Sequence, residues 1–131
     1  MRDFTKFVPN NFMQAPLAGY TDVGFRFLCA KYGCGLVVTE MVSAMSLKQK
    51  NKVAFDMLGI EMPKGSTCKT AVQLFGHEAD VFAEVVKYDE IKKFDVIDIN
   101  MGCQRSCIIE YNLNISSIIS CQLTPFSNLS I

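Results

Sequence analysis

A thiol, Cys103, stands just past a carboxamide, Asn100, in the run Asp98-Ile99-Asn100-Met101-Gly102-Cys103. The residues that lead in, Asp95-Val96-Ile97-Asp98-Ile99, are a short apolar run, and Gly102 marks a turn out of it. Loops at the carboxyl ends of parallel strands line the active sites of α/β proteins, so polar groups here are placed for chemistry. A neutral thiol can give a proton as a general acid if its pKa is not depressed. The plain alternative is a packing residue, since cysteine is among the most buried residue types. Gln73 sits in a second apolar run, Thr70-Ala71-Val72-Gln73-Leu74-Phe75. Its carboxamide carries both donors and acceptors, for a ligand or for loop backbone. Pro16 and Gly19 read alone as turn residues. Glu40, after the run Leu36-Val37-Val38-Thr39, could be catalytic in a generic barrel, as a residue at a strand end.

Metal chemistry is not indicated. The chain has six cysteines and one histidine. Neither Cys29 with Cys34 nor Cys103 with Cys107 has zinc-knuckle spacing, and His77 is far from both in sequence. His77 is expected on a loop at the start of a helix, with no chemistry. Thirteen basic and thirteen acidic residues balance, so no global field recruits nucleic acid or an anionic membrane. Lys48, Lys50 and Lys52 form a small basic run, for which a solvated face is favoured over RNA contact. The start, Met1-Arg2-Asp3-Phe4-Thr5-Lys6, has charge but no apolar core after it, and no apolar run has the length of a membrane span. A cytoplasmic chain with reduced thiols is the expectation.

The elements that must carry these groups alternate. Residues 12–16 read as a strand ended by Pro16. Thr21 is the expected helix cap, Asp22 lies in the first turn, and Phe25, Leu28, Cys29 and Tyr32 recur at helical spacing. Gly33 is the stop. A strand over 36–39 follows, then a mostly helical stretch over 43–58 with Val53, Met57 and Leu58 as core candidates. Residues 59–68 connect to the third strand, 70–75. A third helix begins near Glu78 with Val81, Val85 and Tyr88 on one side, and 95–99 is the fourth strand. The order βαβαβαβ implies parallel pairing, because a parallel return needs a long crossover. Both an open doubly wound sheet and the first half of an eight-stranded barrel fit. No G-x-G-x-x-G follows the first strand, which weakens the dinucleotide-fold option.

Composition then changes. Residues 104–131 hold no glycine, alanine, valine, lysine or aspartate, and only Arg105 and Glu110 are charged. A domain edge is the bland reading. The sharper one is a stretch not selected to fold with what precedes it, as in an out-of-frame extension or a disordered tail.

Four segments taken together resemble the tRNA-dihydrouridine synthase family. They are Ala15-Pro16-Leu17-Ala18-Gly19-Tyr20-Thr21-Asp22, Val38-Thr39-Glu40-Met41-Val42-Ser43-Ala44, Val72-Gln73-Leu74-Phe75-Gly76 and Asp98-Ile99-Asn100-Met101-Gly102-Cys103. Their order and spacing agree with the family over roughly 10–103. The resemblance implies an α/β fold, the truncated N-terminal half of a (β/α)8 TIM barrel. Residues 1–103 would be its first four β/α units, and 104–131 a tail unlike the family. It implies an oxidoreductase that reduces the C5–C6 bond of uridine in tRNA, using FMN reduced by NADPH. It implies that Pro16, Leu17 and Ala18 lie against the flavin ring largely through backbone, and that Gln73 hydrogen-bonds the flavin. Asn100 would lie beside the substrate base and Cys103 would be the proton donor. The family usually has proline after this cysteine, where the chain has Gln104. The later lysine and histidine, the glycine-rich phosphate loops and the helical tRNA-binding domain have no counterpart. A barrel of this kind takes about 250 residues, so the chain is expected to be an inactive piece that binds FMN weakly or not at all. Two alternatives remain: a non-catalytic interaction fragment that buries its open edge on another chain, and a flavin barrel of the dihydroorotate-dehydrogenase type. The Asn-Met-Gly-Cys ending disfavours the latter.

Overall fold

The computed structural model describes residues 4–100 and the pair Thr124 and Pro125. The element order is α1 (Phe4–Phe7), β1 (Met13–Gln14), α2 (Val23–Lys31), β2 (Leu36–Ser43), α3 (Ala44–Lys48), α4 (Lys52–Asp56), β3 (Lys69–Phe75), α5 (Ala79–Val85), α6 (Asp89–Lys92), β4 (Val96–Asn100) and β5 (Thr124–Pro125). Strands β1 to β4 lie side by side in chain order and every neighbouring pair is parallel. That order decides between the two architectures. A doubly wound sheet reverses its strand order at a switch point, whereas a barrel adds each strand beyond the last. The sheet is the N-terminal half of a (β/α)8 barrel. Thr124 and Pro125 pair antiparallel with Ile97 and Val96, in the opposite sense to the other four strands.

Each face of the sheet has its own cover. Val42, Val72, Leu74 and Ile97 point to the helices, where Leu47, Ala54, Leu58, Val81, Val85, Ile91 and Phe94 close over them. The opposite, inner face carries Leu36, Val38, Ala71 and Val96 at its lower end, all buried, under a plug formed by Val8 and the half-buried Phe7. Lys69 sits beneath this plug, with its ammonium 4.9 Å from the Phe7 ring and 3.2 Å from Asp95. Strand side chains alternate across the sheet, so the same inner face continues upward through Gln73, Asp98 and Asn100.

Two local expectations are corrected, Thr21 as the cap of α2 and Val53 as a core residue. The cap of α2 is Asp22, not Thr21: its Oδ1 accepts from Phe25 N at 2.8 Å. Thr21 is fully buried and closes the preceding turn instead. The helix does end at Gly33, whose φ of +91° lets Cys34 N reach Cys29 O at 3.0 Å in a Schellman motif. The face of α2 that carries the helical spacing does not turn inward. Phe25, Leu28 and Tyr32 are exposed, and the buried positions are Arg26 and Ala30. The 43–58 stretch is mostly helical, in two short pieces, α3 and α4. Lys50 adopts φ +57° and Asn51 caps α4, its Oδ1 accepting from Val53 N at 2.9 Å. An asparagine side chain that satisfies the next turn's N–H groups competes with helix continuation. Val53 is accordingly exposed, while Leu58 is buried.

Candidate active site

The polar groups singled out in the sequence meet at the carboxyl end of the parallel strands. Register pairs Met41 with Gln73, Gln73 with Asp98, and Phe75 with Asn100. Gln73 and Asp98 are 6% and 4% exposed, a buried polar pair on the upper inner face. Gln73 Nε2 donates to Asp98 Oδ2 at 2.6 Å. Asn100 Nδ2 donates to Gln73 Oε1 at 3.4 Å and lies 3.0 Å from Met41 Sδ. Burying such groups is costly unless they are bonded, and here each bonds the next.

A β-bulge in β2 builds the other side of the site. Register against β3 shifts between Val38 and Met41, so Thr39 and Glu40 fall where the ladder is interrupted. Bulges re-aim side chains. Thr39, fully buried, accepts from Gln73 N at 3.0 Å and donates to Glu40 O at 2.7 Å. Glu40 Oε2 accepts from Gly19 N at 2.5 Å, across to the loop after β1. Glu40 thus ties the bulge of β2 to the loop after β1.

The loop after β1 is held from several directions. Tyr20 N and Thr21 N both donate to Leu17 O, at 3.1 and 3.0 Å, and Thr21 Oγ1 accepts from Leu17 N at 3.1 Å. Gly19 takes φ +79°, a conformation that disfavours any side chain. Arg26, 5% exposed, donates to Thr21 O and Gly59 O, both at 2.5 Å. Burial lowers its pKa, opposed by the charges of Asp22 and Glu40. Pro16 is half-buried, while Ala15, Leu17, Ala18 and Tyr20 are exposed. The result is a fixed loop that offers backbone, linked through Glu40 and Thr39 to the Gln73–Asp98–Asn100 row.

Arg26, Asp98 and the bulge escaped the sequence reading. Charged residues read as surface, and a run such as Leu36-Val37-Val38-Thr39 gives no sign of where its ladder slips. Two lysines of the 48–52 run have partners of their own. Lys48 pairs with Glu84 at 3.3 Å, and the Lys50 ammonium lies 3.6 Å from the centre of the Tyr88 ring. Among the described residues no group of three or more His, Cys, Asp or Glu is placed to hold a metal ion. Burial raises the Cys29 thiol, and burial with Cys34 nearby pushes Cys68 up to about 11, so these thiols stay protonated at neutral pH. Cys103 lies outside the described residues. No helix of the described residues is long and apolar enough to cross a membrane.

Residues 13–112 match the family described as dihydrouridine synthase. A tRNA-dihydrouridine synthase B of Pseudomonas putida is 40% identical over 95 residues, covering 72% of this chain and 27% of that protein. A probable tRNA-dihydrouridine synthase of Rhizobium leguminosarum is 39% identical over 103 residues, covering 78% of this chain and 31% of that protein. One from Rickettsia bellii is 32% identical over 100 residues, or 76% and 30%. The chain thus spans about three tenths of the length of these curated relatives. No solved structure matches it. With the half-barrel topology and a family match over most of its length, the chain belongs to the dihydrouridine synthase family.

Proposed function

We propose that this chain carries the flavin-ring and base-binding part of an FMN-dependent tRNA-dihydrouridine synthase, which reduces the C5–C6 bond of uridine with NADPH as reductant. The observation that carries this reading is the linked row at the carboxyl end of the sheet: Gly19 to Glu40, Thr39 to Gln73, Gln73 to Asp98 and Asn100. The residues suit a flavin. Its ring edge alternates acceptors and a donor, which a carboxamide can meet. A loop with glycine at positive φ lets backbone approach a flat ring closely. Pro16, Leu17 and Ala18 would hold the ring through backbone, and Gln73 would bond its edge. When bound, FMN supplies the hydride that goes to uracil C6.

The chain's own groups do the rest. Asn100 orients the base. Cys103, three positions beyond it in sequence, gives the Sγ proton to C5 as the C5–C6 π electrons move to that carbon, and the thiolate then recovers a proton from water. In this reading residues 13–100 supply the ring contacts, and the phosphate anchor belongs to a later part of the barrel. Phosphate sites in such barrels come from the loops after the seventh and eighth strands.

Titration of the chain with FMN and with lumiflavin, the bare ring, tests this. Both should bind weakly and with the same affinity, and Gln73→Ala should weaken both about tenfold, the size of a lost hydrogen bond in a dry site. FMN retained in stoichiometric amount through gel filtration would contradict the reading, as would a Gln73→Ala variant that binds both ligands like the parent. A second reading, a non-catalytic fragment that buries an open face on another chain, draws on the exposed Phe25, Leu28 and Tyr32. It predicts a stable complex with an unchanged apparent mass when Gln73 is replaced.

A further inference from the structure

Two thiols stand at the end of the sheet opposite the candidate active site. Cys29 lies in the last turn of α2, and Cys34 lies just before β2. Both are free and half-buried, and both line the open cleft beside β1. We propose that Cys29 and Cys34 form a vicinal dithiol, a modification site that closes to an intramolecular disulfide by exchange with a small-molecule disulfide such as oxidised glutathione. This inference stands on the end of α2 and is independent of the flavin reading.

The turn that ends α2 brings the two residues together. Cys34 N donates to Cys29 O at 3.0 Å, and Gly33 N donates to Ala30 O at 3.2 Å. These are the two bonds of a Schellman motif, and they put Cys29 and Cys34 at the two positions whose side chains commonly touch. The first bond also bounds their separation. A carbonyl oxygen lies about 2.4 Å from its own Cα and an amide nitrogen about 1.5 Å from its own, so the two Cα atoms are at most about 7 Å apart, and closer with any bend at O or N. Disulfides span about 4.4–6.8 Å between Cα atoms. The thiols also sense each other: burial first, then the charge of Cys34, raises the pKa of Cys29.

Little opposes closure. Cys34 Sγ lies 3.0 Å from Leu36 O and 3.3 Å from Phe12 O. A thiol is a weak donor, and Phe12 O also accepts from Gly35 N at 2.8 Å, so loss of the S–H leaves that carbonyl bonded. Cys68 is the competing thiol. Its Sγ turns to Lys69 O, 3.4 Å away, and a pKa of about 11 leaves it almost no thiolate at neutral pH. Closure takes two displacements. One protein thiolate attacks the glutathione disulfide, forms a mixed S–S bond and expels a glutathione thiolate. The other protein thiolate attacks the protein sulfur of that bond, closes the Cys29–Cys34 bond and expels the second. The protein thiols lose two electrons, the glutathione disulfide gains them, and the two protons end on the glutathione thiolates. Because exchange needs a thiolate and burial raises Cys29, closure is slow at neutral pH, while geometry sets its equilibrium.

The test equilibrates the full 131-residue chain in glutathione buffers, traps remaining thiols with iodoacetamide and maps tryptic peptides by mass spectrometry. Lys31 lies between the two cysteines, so after trypsin only an S–S bond keeps them together. They should be found joined. The effective concentration of one thiol at the other should exceed that of the same chain in urea at least about tenfold, since a short flexible linker alone supplies only the millimolar range. Cys34→Ser should leave Cys29 in a stable mixed disulfide with glutathione. In the closed parent, amide exchange at Tyr32, Gly33 and Cys34 should slow, because the bond stops the helix end from fraying. Cys29 and Cys34 that stay alkylatable, or that each carry their own glutathione, would overturn the proposal. So would either one joined to Cys68 or to another cysteine instead, or equal values in native buffer and in urea. Should Cys34→Ser fail to fold, the parent chain compared in native buffer and in urea decides alone.

Discussion

Glu40 and Arg26 hold the 17–21 loop from two sides, one by its Gly19 N–H and one by its Thr21 carbonyl. Removing the carboxylate in Glu40→Ala should speed amide exchange across that loop about tenfold, the worth of one hydrogen bond to a charged group. Glu40→Gln keeps an acceptor and should recover most of the protection; hydrogen exchange read by mass spectrometry separates the two. Cys68 makes a second residue-level prediction. Its pKa is raised from an ordinary 9.0 to about 11, chiefly by burial. The folded state therefore binds this proton more tightly than the unfolded chain. The sign follows from linkage: the stabilisation is complete below the unfolded pKa and is lost as pH rises from about 9 to about 11. Denaturant midpoints should fall across that window and level off in Cys68→Ala. Midpoints that fall equally in the variant would assign the loss to other groups.

Elements were legible where one local cause sufficed. Continuous apolar runs marked β2, β3 and β4 because both of their faces are covered, and Gly33 marked the end of α2 because a Schellman turn needs positive φ. What failed depended on neighbours. Helical spacing alone does not tell which face of α2 is covered: the Phe25–Leu28–Tyr32 side is exposed, while Arg26 and Ala30 are buried. The 43–58 stretch is helical as its pattern suggests, but its division into α3 and α4 rests on Asn51 as a cap and on Lys50 over Tyr88, the latter a contact with a segment far along the chain. At the site, Gln73 and Asn100 stood out as carboxamides in apolar runs. Asp98 did not, since its bond to Gln73 is made across the ladder and leaves no mark along the sequence. The cap itself is testable. Asn51→Ala should cost about 1 kcal/mol, and Asn51→Gly only a few tenths. Equal losses in the two variants would mean that the side chain is not capping α4.

The molecule presents an unpartnered apolar side. Phe12, Met13, Leu17, Phe25 and Tyr32 border an open cleft of about 530 Å³, beside the edge of β1 that no described strand pairs. Apolar patches of this kind drive association. Phe25→Glu with Leu28→Lys should leave the far-ultraviolet circular dichroism unchanged and reduce self-association in sedimentation velocity; association at the parental level would place the sticky surface elsewhere. The composition break at 104 bears on the same scale. If it marks a change of reading frame, the coding DNA beyond it should encode family-like residues in another frame. The family match itself runs on to residue 112. The central claim is that this chain supplies the reacting end of a dihydrouridine synthase. The most direct measurement joins residues 1–103 to the rest of the Pseudomonas putida relative and follows two half-reactions: anaerobic bleaching of bound flavin by NADPH, then its reoxidation by tRNA. The account predicts that the chimera completes both, and that Cys103→Ala still bleaches but reoxidises roughly a hundred- to ten-thousand-fold more slowly, the usual worth of a general acid. A chimera that holds flavin and bleaches but never reoxidises on tRNA would contradict the claim, as would a Cys103→Ala variant that reoxidises at the parental rate.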